Sequence, residues 1–165
     1  MLEIEIKYRL DSPERVMAFF TEQGVKLHET RKDADYYLNA PDRDFAKTDE
    51  ALRLRRIGDA NFLTYKGPRK DATTKTRTEV EVPVATGDAS AEGLLELFQK
   101  LGYRFVHVVQ KNRTLYHFHY QGYHVHFCWD EVYGLGNFLE LEIMAETTEY
   151  EQAKIVLFEL AQRMG

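Results

Sequence analysis

Apolar and charged residues alternate along most of this chain. In "EIEIK", Glu3, Glu5 and Lys7 share one parity while Ile4 and Ile6 take the other. A period of two is the period of a β-strand. The alternation recurs in "LRLRR", "LTYKGP", "TRTEVEV", "QKNRTL", "FCWDEV" and "FLELEI". It predicts strands over 2–9, 26–39, 51–57, 61–67, 76–84, 103–120, 123–132 and 138–145. Turn-forming residues separate them: Gly58-Asp59, Gly67-Pro68, Gln121-Gly122 and the run 134–137. The polar stretch 69–75 reads as a mobile loop. Helical spacing appears over 13–23, 90–101 and 150–164. The first of these has Ser12 as N-cap, Pro13 at its first position and Gly24 just beyond.

Three helices must bury their apolar stripes, and the aliphatic parity of the strands is the available partner. The charged parity then needs an explanation. A solvated sheet face mixes its polar residues, whereas here acids come as E-x-E pairs and bases as R-x-R or K-x-R pairs. Like charges about 7 Å apart along a strand, two residues at roughly 3.3–3.4 Å each, repel unless counter-ions are supplied. If the helices cover the aliphatic face and the sheet closes, the charged parity becomes a lumen. The expected fold is α+β: an eight-stranded antiparallel β-barrel, or tunnel, with a polar charged lumen and helices on the outside. Residues 1–165 are expected to form a single domain.

Composition narrows the function. A net charge of −5 over 165 residues argues against nucleic acid as a partner. The lone Cys128 excludes an internal disulfide and fits a reducing compartment. No apolar run approaches membrane-spanning length, and charges at positions 3, 5 and 7 are unlike a signal peptide. A cytoplasmic protein without a membrane partner is expected. Its oligomeric state is left open, a homodimer included.

Paired carboxylates are hard oxygen ligands suited to Mg²⁺ or Mn²⁺. Arginine and lysine pairs suit phosphate oxygens, arginine in bidentate fashion. Together they describe a site for a polyphosphate chain, where metals bridge phosphate oxygens and bases take the remaining charge.

"EIEIK" resembles the E-x-E-x-K signature of the CYTH domains, also called triphosphate tunnel metalloenzymes. The resemblance continues in order through "DADYYLN", "TDEALRLRR", "LTYKGP", "TRTEVEV", "QKNRTLY" and "DEVYGLGNFLELEI". It implies an eight-stranded tunnel that binds a triphosphate and a divalent metal. Glu3, Glu5, Glu140 and Glu142 are implied as metal carboxylates. Lys7, Arg53, Arg55, Lys66, Lys111 and Arg113 are implied as phosphate-binding bases, with Arg77 serving substrate or structure. Glu79 and Glu81 are implied to orient bases or support a second metal. Lys7, Asp130 and Glu140 are the implied catalytic residues, and Asp35 and Tyr37 supporting ones.

Within that family "TDEALRLR", "YKGP" and "GLGNF" look most like class IV adenylyl cyclases, which convert ATP to cyclic AMP and pyrophosphate. The alternative is a triphosphatase acting on inorganic, thiamine or nucleoside triphosphate. "LELEI" keeps both acids of its pair, which is the triphosphatase pattern. A non-catalytic module binding polyphosphate or nucleotide is a third possibility. In "HFHYQGYHVH", His117, His119, His124 and His126 flank a turn and offer zinc ligands; the plainer reading is half-exposed strand residues.

Overall fold

The computed structural model describes residues 2–165. It contains eight strands: β1 (Leu2–Arg9), β2 (Lys26–Asn39), β3 (Ala51–Ile57), β4 (Ala60–Arg69), β5 (Arg77–Val84), β6 (Arg104–Tyr120), β7 (Tyr123–Val132) and β8 (Gly136–Ala145). The helices are α1 (Pro13–Gln23), α2 (Phe45–Thr48), α3 (Asp88–Lys100) and α4 (Tyr150–Met164), the last preceded by a 3₁₀ turn at Thr147–Glu149. The strands form one eight-stranded antiparallel sheet in the order β1-β8-β7-β6-β2-β3-β4-β5, and the class is α+β as expected. The chain divides into two compact units, 1–31 with 70–76 and 112–165, and 32–69 with 77–111.

In the first unit, α1 and α4 lie on the aliphatic parity of the strands. Ile4 and Ile6 of β1, Val125 and Phe127 of β7, and Leu139, Leu141 and Ile143 of β8 pack with Phe19 and Phe20 of α1 and Val156, Leu157 and Leu160 of α4. All are buried, so the opposite parity carries the charges. Gly24 ends α1 at φ 67, the left-handed conformation that glycine adopts without a Cβ penalty. Ser12 sits at the N-cap position, but its side chain makes no capping bond. The second unit has a smaller core: Leu38, Ala40, Phe45 and Leu52, with Leu63, Tyr65, Leu95, Phe98 and Tyr103 against it.

Two local features differ from the sequence reading. Gly67-Pro68 does not end β4; it lies within the strand, and the ladder to β5 changes register between Lys66 and Arg69. Proline has no N–H to give the ladder, so the pairing slips there. The loop expected to be mobile is tied down. Asp71 Oδ1 accepts the backbone N–H groups of Thr73 and Thr74, both at 2.7 Å. Its other oxygen accepts from the Tyr150 hydroxyl and from Lys154 Nζ. The Lys75 N–H then donates to the Glu5 carbonyl at 2.8 Å, fastening the loop to β1.

Candidate active site

The register of the first unit builds the acidic part of the site. Across β1 and β8, Glu5 pairs with Glu142 and Lys7 with Glu140. Across β8 and β7, Glu142 pairs with His126 and Glu140 with Cys128. Pairing stacks these residues into rows on the face opposite the helices. Carboxylate oxygens of Glu3, Glu5 and Glu142 lie within 4.8 Å of one another, and so do ligand atoms of Cys128, Glu140 and Glu142. Burial, then the charges of Glu3 and Glu140, push the Glu142 carboxyl up to about 8.

That crowding is the test of fit for a divalent cation, and the residues pass it. Three carboxylates in reach of one point are a hard-oxygen donor set, and like charges so close favour a bound cation. Lys75 Nζ stands 3.9 Å from Glu5 and adds a positive charge that the sequence pattern did not single out.

Beside this set lies a buried ion-pair network. Arg113 donates to both oxygens of Asp130, at 2.6 and 2.7 Å, and also to Glu140 Oε2. Lys7 donates to Glu140 Oε1 at 2.6 Å and stands 3.8 Å from Asp130. Burial disfavours the charge on Arg113, but the hydrogen bond to Asp130 and the charge of Glu140 overcome it and raise its basicity. Lys7 is raised in the same way, Glu140 outweighing burial. Glu140 therefore serves two bases while standing next to Glu142. With both oxygens on Arg113, Asp130 is placed to fix that guanidinium. Cys128 is buried, and burial followed by the charge of Glu142 raises its thiol well above the usual range, which disfavours the thiolate.

The second unit carries bases of its own, each beside an acid. Arg55 and Asp35 are paired across β2 and β3 and joined by two bonds of 2.7 Å. Burial alone would raise the Asp35 carboxyl; the Arg55 hydrogen bonds and the charges of Arg55, Arg53 and Lys111 bring it below its ordinary value. Tyr37 pairs with Arg53, and Arg53 pairs with Thr64, which donates to Glu81 at 2.7 Å. Arg53 itself lies 3.9 Å from Glu81. Lys66 donates to Glu79 at 2.6 Å across β4 and β5. Arg77 is held on Asp49 through its carbonyl and carboxylate. Arg53, Arg55 and Lys111 are buried, while Lys66 and Arg77 are half-buried.

Comparison with known proteins points the same way. The model of the CYTH domain matches residues 1–165. A Methanocaldococcus jannaschii protein named "Putative adenylate cyclase" is 39% identical over 142 residues, 86% of this chain and 77% of its own length. A solved protein of Pyrococcus horikoshii is 35% identical with a TM-score of 0.84, covering 99% of this chain and 90% of that one. A Hippeastrum protein, described as a "putative adenylyl cyclase" with a dominant triphosphatase activity, shares the fold at 23% identity and a TM-score of 0.67, over 99% of this chain and 88% of its own. With a match over its whole length, this chain belongs to the CYTH family.

Proposed function

We propose that this protein is a divalent-metal-dependent enzyme acting on a triphosphate. The observation that carries the reading is the convergence of Glu3, Glu5 and Glu142, with burial and then the neighbouring charges pushing the Glu142 carboxyl up to about 8. Those three residues would hold Mg²⁺ or Mn²⁺. When bound, the metal supplies charge neutralisation and polarisation of phosphoryl oxygens.

The chain's own residues do the positioning. Arg53, Arg55, Lys66 and Lys111, with Lys7 and Arg113, take phosphate oxygens, and Arg77 supports them from its seat on Asp49. Each base already has a carboxylate beside it, so the oxygens of a triphosphate replace or share existing acceptors. Asp35 fixes Arg55, Asp130 fixes Arg113, and Glu140 orients Lys7.

For the reaction we take the cyclase first, because the Methanocaldococcus relative at 39% identity bears that name. The ribose 3′-hydroxyl of ATP gives up its proton to water as its oxygen attacks the α-phosphorus, the bond from that phosphorus to the α,β-bridging oxygen breaks, and pyrophosphate leaves with that oxygen. Hydrolysis to orthophosphate is the second reading. It is favoured by Glu140 and Glu142 standing together on β8. Incubation with ATP, thiamine triphosphate and inorganic triphosphate, each with Mg²⁺ or Mn²⁺, separates the two. Cyclic AMP with pyrophosphate supports the first, orthophosphate the second. Metal-independent binding with no turnover of any substrate overturns both in favour of a binding module.

A further inference from the structure

A histidine cluster adjoins the carboxylates and has no part in the chemistry above. The Gln121-Gly122 turn folds β6 onto β7. Tyr116, Phe118 and Tyr120 of β6 and Val125 and Phe127 of β7 go to the core, which leaves His117, His119, His124 and His126 on the charged parity. His28 of β2 stacks on His117 with ring centroids 4.1 Å apart.

Three of these rings form a triangle. The centroids of His117 and His124 are 4.9 Å apart, those of His117 and His126 4.6 Å, and those of His124 and His126 4.7 Å. His124 Nδ1 and His126 Nε2 stand 3.1 Å apart. With metal–nitrogen bonds of about 2.0–2.1 Å, imidazoles sharing one ion have nitrogens about 2.9–3.4 Å apart and centroids about 4.5–5.2 Å apart, from octahedral to tetrahedral angles. The three centroid spacings fall in that range, and the nitrogen spacing does so for the one pair His124 and His126. His117 lies nearly flat over His126, at 22°, so rotation about its side-chain bonds is needed to aim its nitrogen.

His124 is exposed and His117 and His126 half-buried, so an ion reaches them from solvent. Imidazole nitrogen selects borderline ions where carboxylate oxygen selects hard ones, so the two donor sets take different metals.

We propose that His117, His124 and His126 form a second metal site, for a borderline first-row ion such as Zn²⁺, Co²⁺ or Ni²⁺. His119, stacked 4.7 Å from His124, is placed to join them. The site is distinct from the oxygen site of Glu3, Glu5 and Glu142 and needs no triphosphate.

Metal-free protein is titrated with Zn²⁺ by calorimetry and with Co²⁺ by visible absorption, in excess Mg²⁺ so that the carboxylates are occupied. One ion per chain is expected, with the Co²⁺ bands of nitrogen ligation. His124→Ala/His126→Ala is expected to weaken that binding by about 100-fold or more, beyond the 10–100-fold typical of an outer-shell partner. Glu3→Gln/Glu5→Gln is expected to leave it in place. Circular dichroism checks folding, and the exposed single change His124→Gln gives the same reading if the double variant does not fold. Binding lost in the glutamate variant but kept in the histidine variants overturns the proposal. So does Zn²⁺ binding without a defined stoichiometry, which would make the cluster a set of packed rings only.

Discussion

The carboxylate cluster of the first unit and the bases of the second handle charge in opposite ways. In the first, Glu3, Glu5 and Glu142 crowd together, and the Glu142 carboxyl is driven up to about 8. In the second, Arg55 faces Asp35 and Lys66 faces Glu79, each across a strand pair, and Arg53 lies near Glu81 two strands away. One set is strained by burial and like charge together; the other neutralises itself. The strained set gains by taking a cation. The neutralised set is held in shape before any ligand arrives, and on the proposed reading phosphate oxygens replace or share the acceptors its bases already have.

That contrast breaks most visibly at Glu5. Glu5→Gln removes one charge from the crowded set, and metal-dependent turnover is expected to fall by about 10³-fold or more, the equivalent of the several kcal/mol a catalytic metal supplies. The fold should survive, as read by circular dichroism. Full activity in this variant would remove the carboxylates from the site.

Arg55→Met tests the other side. It leaves the buried Asp35 carboxylate without its bidentate partner, and breaking such a pair costs about 3–5 kcal/mol. For a chain of this size that lowers the melting temperature by roughly 6–20 °C. A variant as stable as the parent would mean that the pair does not hold the second unit in shape.

The crowded set should respond to pH in a particular direction. A carboxyl at about 8 in the folded protein lies above its unfolded value, so between about 4.5 and 8 the folded state binds more protons than the unfolded state. Stability of the metal-free protein therefore falls as pH rises through that window, and saturating Mn²⁺ should flatten the fall. Glu142→Gln should flatten it as well, and should raise the metal-free melting temperature at pH 8 by about 2–4 °C for each kcal/mol relieved. Thermal melts at several pH values, with and without Mn²⁺, measure all of this. A metal-free protein that becomes more stable toward pH 8 would show that Glu142 is not under strain.

Much of this contrast was legible in the alternation of residues. The parity of "EIEIK", "LRLRR" and "FLELEI" assigned Glu5, Arg53 and Glu140 to one face and the aliphatic residues to the helices. Pairing was not legible, because a strand's parity does not name its neighbour. That Glu5 stands opposite Glu142, and Lys7 opposite Glu140, follows only from register. The anchoring of Arg113 by Asp130 was hidden for the same reason. Helix α2, at Phe45–Thr48, is too short to display a helical period. The loop at Asp71 looked free because its partners Tyr150 and Lys154 are far away in the sequence.

The finest probe of the contrast is Glu79. Its carboxylate holds Lys66 at 2.6 Å, with both side chains partly exposed, so the pair should contribute no more than about 1 kcal/mol to stability. Glu79→Gln should leave the melting temperature within a few degrees of the parent. If phosphate recruits Lys66 by exchange, freeing the ammonium should tighten triphosphate binding a few-fold, measured by calorimetry without turnover in the Glu5→Gln background. If binding weakens instead, Glu79 is holding Lys66 in its productive position, and the second unit then works by aiming its bases rather than by releasing them.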